Sequence, residues 1–253
     1  MKTIDIVDMS NGVPMISDNF NPQALISFVA NYRHVLFKSL HKLPEYLDPE
    51  KIEPLYLIRN QKNGLEYPEH GDLCELEKVA IHNAIKNILE IMPEWKAYFS
   101  IPIKYRRLTA NENMVSLTNH NMPQMIYFGA KAFKSEEWLE EVIIHETAHI
   151  WLGLICEIDS FHENKDQANY TLPSGTKNKD ARGVIFATHF AACVLKYMEK
   201  KQIVKGFTQK DQERFAWLQN YFSGCMSQLE NMNELKPSGK LIVSIMGNEA
   251  SYA

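Results

Sequence analysis

The chain is short of several features that would declare a class at once. No stretch reaches the ~18 uninterrupted apolar residues of a membrane-spanning helix. Positive charge is not in excess: 27 Lys and Arg stand against 31 Asp and Glu, a formal net charge of −4, so nothing points to a nucleic-acid surface. Cysteine is sparse. Cys74, Cys156, Cys193 and Cys225 lie far apart with no C-x-x-C pair, and three of them fall in apolar helical patterns. That spacing excludes a disulfide scaffold and fits buried thiols in a reducing compartment. The opening residues, Met1-Lys-Thr-Ile-Asp-Ile-Val-Asp, place acids where a secretory signal needs an apolar run, so a cytoplasmic location is expected. Internal repeats and low-complexity linkers are absent.

What is present is ordinary globular material. Of 253 residues, 45% are apolar and 23% charged, enough for a substantial core. The reading is one domain over 1–253: a helical part at 1–110, a chemical core at 111–235, and a strand and tail at 236–253. The fold class expected is mainly α with some β (α+β). A helical domain with a small antiparallel sheet before its central helix is expected, zincin-like because that helix carries H-E-x-x-H at residues 145–149.

Asn21-Pro22 opens a first helix, and Leu25, Ile26, Val29, Leu36 and Leu40 keep its period. Residues 44–71 read as loop with one short strand or helical turn. Asp72-Leu-Cys-Glu75 is a capping-box pattern that opens a helix ending before Pro93. Tyr98–Ile103, Met114–Thr118 and Gln124–Phe128 are short and β-prone. The polar stretch Asp159–Asp180 reads as a functional loop, one rim of the site. Helices follow from about Asp180 to Ile203 and from Thr208 to Leu229, then a short strand at Leu241–Met246.

The chemistry concentrates at Glu141-Val-Ile-Ile-His145-Glu146-Thr-Ala-His149-Ile-Trp-Leu. It holds H-E-x-x-H in an apolar helical stretch with Ser135 as cap. Positions i and i+4 share a face of a helix, so His145 and His149 can offer two imidazoles to one metal ion. Glu146, one residue on, lies beside that ion and can hold a bound water as general base. The bland alternative is a pair of core histidines.

Two imidazoles need a third protein ligand. The metzincin completion is excluded, because Leu152 and Ile155 stand where Gly and His are required. The acidic signatures of thermolysin-like enzymes do not follow, although Glu157, Glu163 and Glu199 are near. Histidines remain: His189 in the middle of the second long helix, then His162 in the polar loop. Arg182 shares the face of His189 about two turns away, where its guanidinium can take a carboxylate. Three neutral imidazoles suit zinc and iron(II) alike. Zinc with Glu146 would hydrolyse a peptide bond. Iron would leave positions for dioxygen and a 2-oxo acid.

The segments Ser116-Leu-Thr-Asn-His-Asn-Met-Pro-Gln-Met-Ile-Tyr-Phe, Leu139-Glu-Glu-Val-Ile-Ile-His-Glu-Thr-Ala-His and Ala181-Arg-Gly-Val-Ile-Phe-Ala-Thr-His-Phe-Ala-Ala resemble the H-E-x-x-H peptide hydroxylases associated with ribosomally made, modified peptides. The resemblance spans roughly residues 110–200. It implies an iron(II)- and 2-oxoglutarate-dependent enzyme that hydroxylates a β-carbon of a precursor peptide. His145, His149 and His189 would then bind iron, Arg182 the 2-oxoglutarate carboxylate, and Glu146 would stand beside the metal. The other readings kept open are a zinc metallopeptidase with Glu146 as base, and a binding protein with a structural zinc or none. No membrane or nucleic-acid partner is expected, and the sequence carries no signal for oligomeric state.

Overall fold

A computed structural model describes residues 5–62, 67–109, 113–119, 121–163 and 169–249. In chain order the elements are α1 (Ile6–Met9), α2 (Pro22–Phe37), α3 (Pro49–Lys62), β1 (His70–Gly71), α4 (Glu75–Ile91), β2 (Lys104–Leu108), β3 (Ser116–Thr118), β4 (Met125–Phe128), α5 (Glu136–Ile158), α6 (Ala181–Lys205), α7 (Gln209–Glu230) and α8 (Pro237–Glu249). Short 3-10 turns precede α3, β2 and α5. The chain is mainly helical with one small sheet, as its composition and periodicity lead one to expect. Among the described residues no helix is long and apolar enough to cross a membrane.

The helix starts follow local chemistry. Thr208 and Asp211 cap α7 reciprocally: the Thr208 hydroxyl accepts the Asp211 N–H, and the Asp211 carboxylate accepts the Thr208 N–H. Asp180 caps α6 by accepting the Gly183 N–H at 2.7 Å. α4 starts two residues later than its sequence pattern indicates. Cys74 is the cap residue, its N–H held by Glu77, while Asp72 pairs with Arg106 on β2.

Four expectations need correction. The stretch 44–71 holds a 14-residue helix, α3. Pro49 occupies its first position, and Ile52, Tyr56 and Asn60 recur at every fourth residue on its buried face. The expected strand at 241–246 is helix α8: Pro237 starts it, and Gly239, Ile242, Val243 and Met246 keep a helical burial period despite the β-branched run. The sheet is mixed, not antiparallel. Its order is β1-β2-β4-β3. β2 pairs parallel with β4 (Lys104↔Met125 to Arg107↔Phe128), and β1 and β3 pair antiparallel on either side. The strand expected at Tyr98–Ile103 lies instead at Lys104–Leu108, after a 3-10 turn over Pro93–Phe99.

The chain is described as two compact units. Gln23–Leu154 forms one, with the sheet and most of α5. Its core includes Ile52, Tyr56, Leu108, Met122, Met125 and Tyr127. Arg33, fully buried, donates to the Tyr46 carbonyl and, at 2.6 Å, to the Gln124 side chain; Gln124 in turn donates to the carbonyls of Leu47 and Pro102. That network holds the residue just ahead of β4. The other unit is Met1–Pro22 with Ile155–Ala253. In it α6 is buried over most of its length, and Gly239 of α8 lies so close to the Phe161 carbonyl that a Cβ would stand 2.3 Å from it.

Candidate metal centre

Helix α5 begins where the sequence places it. The Ser135 hydroxyl accepts the Trp138 N–H at 3.2 Å, and Glu136 and Glu137 occupy the first turn, where the helix dipole favours acids. Further along, the Trp151 indole N–H donates to the Tyr98 carbonyl at 3.0 Å, and its ring meets Tyr98 edge-on. From Val142 to Leu152 every residue is buried except His145 and His149, which are half-buried. Within that span the two histidines are the partly exposed residues.

Their geometry is convergent. The two Nε2 atoms lie 2.9 Å apart, one ring donating to the other, with the ring planes at 83°. Two imidazoles on one tetrahedral zinc, with bonds of about 2.0–2.1 Å, would set their nitrogens roughly 3.3 Å apart. An ion can take the place of the shared proton if the rings part by a few tenths of an ångström, so the residues fit a metal at this end of the site.

Glu146 is 2% exposed and turned toward β3. One carboxylate oxygen accepts the Ser116 hydroxyl at 2.6 Å, and the other accepts the Thr118 hydroxyl. In a strand, residues two apart share a face. Ser116 and Thr118 thus present both hydroxyls to α5 while Leu117 points the other way. Buried carboxylates require such partners, and hydrogen bonds to charged groups are the strong ones. Neither hydroxyl was singled out from the sequence, although both lie in the first segment of the family resemblance. Only the pairing of β3 with β4 brings them, 28 and 30 residues upstream, to the motif.

The remaining candidates lie in the other unit. His189 is fully buried on α6, and its Nε2 is 2.8 Å from the Pro14 carbonyl. A carbonyl only accepts, so Nε2 carries the proton and Nδ1 keeps its lone pair, with no hydrogen-bond partner among the described residues. Metal-bound histidines commonly have this pattern, one nitrogen engaged by a carbonyl and the other free to ligate. Burial pushes the His189 pKa down to about 4, which keeps the ring neutral. Cys193, one turn on, sits 3.6 Å from Nε2, and burial pushes its thiol far up. His162 is 3% exposed, with Nε2 3.6 Å from Asp180 and no hydrogen-bond partner for Nδ1 among the described residues. Arg182 lies 3.3 Å from the same Asp180 oxygen. One carboxylate therefore caps α6, pairs with Arg182 and approaches His162. Gly183, whose N–H that cap uses, is a position where proline would remove the donor.

Among the described residues no three His, Cys, Asp or Glu side chains come together as a complete metal set. The structure unites His145, His149 and Glu146 in one unit and gathers His162, Asp180 and Arg182 in the other. Glu199 falls in the exposed end of α6, and Glu163 is exposed. The polar stretch before α6 is tied locally by a bridge between Tyr170 and Lys179. No family model matches the chain, and no curated protein is significantly similar to it.

Proposed function

We propose that this chain is an iron(II)- and 2-oxoglutarate-dependent hydroxylase acting on a β-carbon of a ribosomally made precursor peptide in the cytoplasm. The observation that carries the oxygenase reading is the state of Glu146 beside the convergent imidazoles. A hydrolytic base needs a carboxylate lone pair aimed at metal-bound water. Here both oxygens accept hydroxyls from strand β3. A zinc peptidase with Glu146 as base is the competing reading, supported by the motif itself. Each oxygen keeps a second lone pair, and as base the carboxylate would have to aim one of these at metal-bound water while still facing the strand.

In the proposed reaction, dioxygen and 2-oxoglutarate are consumed and hydroxylated peptide, succinate and carbon dioxide are released. Iron, when bound, would supply the activation of dioxygen. The chain supplies His145 and His149 as neutral nitrogen ligands. His189 is the candidate third ligand from the sequence, and its free Nδ1 supports that role. Arg182 supplies a cation suited to the far carboxylate of the cosubstrate. The peptide class rests on the resemblance of the three segments at 116–128, 139–149 and 181–192.

Anaerobic reconstitution with iron(II), followed by 2-oxoglutarate, tests this. A weak visible charge-transfer band, lost in His145→Ala and weakened in Arg182→Ala, is expected, with succinate formed once oxygen is admitted. Glu146→Gln should keep the band. Tight zinc, no band, and a peptidase activity abolished by Glu146→Gln would overturn the reading in favour of hydrolysis.

A further inference from the structure

Resting on the metal-binding reading of His145 and His149, we propose that Ser116 and Thr118 form a hydroxyl clamp that keeps the Glu146 carboxylate off the metal, so that positions beside the two imidazoles stay open to small ligands.

Glu146 follows His145 directly and carries three rotatable side-chain bonds. A carboxylate is a competent ligand for zinc and for iron, and two histidines with one carboxylate make a common ligand set. Left loose on this turn, Glu146 would be the nearest such group to the imidazole pair by chain connectivity. Once bound it would fill one position, or two if bidentate, where substrates must enter. The structure instead occupies each of its oxygens with a separate hydroxyl.

The clamp is built into the sheet. Ser116 pairs with Phe128 and Thr118 with Ile126 across the antiparallel ladder, and both β4 residues are fully buried. At its start β3 is held by the Gly129 N–H, which donates to the Val115 carbonyl at 2.8 Å. Gly129 itself passes so close to the Met114 carbonyl that a Cβ there would stand 1.9 Å away. The height of the two hydroxyls over α5 is thus set by backbone pairing, independent of any metal. Ser116 and Thr118 are positioning residues: they act through Glu146 and touch no reacting atom.

Cobalt(II) alone, added to the full chain without 2-oxo acid or peptide, reads the clamp directly. The double variant S116A/T118V releases both oxygens. It should bind cobalt(II) on the order of tenfold more tightly than the wild type, the scale of outer-shell effects on metal affinity, and its visible absorption should move as a ligand is added. Adding E146Q to that background should return affinity and spectrum to the wild-type pattern. The conservative pair S116T/T118S should match the wild type. A purely structural role would lower the melting temperature and leave cobalt affinity unchanged. Unchanged affinity and spectrum in a folded S116A/T118V protein, or in S116A where the double variant does not fold, would overturn the clamp. Failure of the wild type to bind cobalt(II) at all would overturn the metal reading beneath it.

Discussion

Replacing Gly129 by alanine should destabilise this protein, and the same replacement at Gly153 should not. The backbone of Gly129 is at φ −80°, which any residue adopts, so conformational strain plays no part. The difficulty is space. A Cβ at 129 would lie 1.9 Å from the Met114 carbonyl oxygen, and separations under 3.0 Å are essentially never seen, so the two backbones must part by at least 1.1 Å. The opposing atom is main chain, not a side chain that could rotate away. The Gly129 to Val115 hydrogen bond, 2.8 Å long, cannot survive that opening. Overpacking costs about 1–3 kcal/mol and a lost hydrogen bond about 1 more, so a loss of roughly 2–4 kcal/mol is expected. For a chain of this size that lowers the melting temperature by about 5–15 °C. Gly153, within α5, has nothing within 4 Å of its missing Cβ. Alanine there should be neutral or stabilising by up to about 1 kcal/mol, the helix-propensity difference. Thermal unfolding of the two variants followed by circular dichroism measures both signs. Equal melting temperatures for Gly129→Ala and the wild type would refute the close approach of β3 and β4.

Two further outcomes follow from buried groups. His189 in the metal-free protein stays neutral until about pH 4, whereas the unfolded chain takes up that proton near pH 6.5. Its contribution to stability is therefore complete above pH 6.5 and falls away as the pH drops toward 4, by about 3 kcal/mol in all at ~1.4 kcal/mol per pH unit. Urea titrations across that window should show a steeper decline for the wild type than for His189→Met, and parallel declines would show that the ring is not held neutral. Trp151→Phe keeps an aromatic ring on α5 but removes the indole N–H that donates to the Tyr98 carbonyl. A loss of about 1 kcal/mol should appear as a lower urea midpoint at unchanged slope, and an unmoved midpoint would show that the bond contributes nothing.

Much of the local structure was legible in the sequence. Ser135, Asp180 and Thr208 announce their helices because capping is a matter of residues two or three apart. The pairing of His145 with His149 is likewise intrinsic to helical periodicity, and so is the succession of a long α5 and a long α6. The misreadings have a common physical cause. Leu241–Met246 is β-branched and short, and the helix that Pro237 starts buries Ile242, Val243 and Met246 with Gly239 against the Phe161 carbonyl. Residues 44–62 are rich in proline, yet Ile52 and Tyr56 have a core to bury against, and that burial stabilises α3. Parallel pairing of β2 with β4 joins segments 21 residues apart in register, with β3 inserted between them in sequence and placed outside them in the sheet.

The same division holds at the candidate site. The sequence by itself determined that two imidazoles share one helix face with a glutamate beside them, since the i, i+4 relation needs nothing but the helix. What Glu146 does there was decided by tertiary structure, because its partners Ser116 and Thr118 arrive on a strand whose position depends on sheet pairing. The proton on His189 was decided in the same way, by a Pro14 carbonyl 175 residues distant. Caps and periodic faces are short-range and survive as sequence patterns. Hydrogen bonds between remote segments depend on where burial leaves each donor and acceptor, and no spacing of letters encodes that.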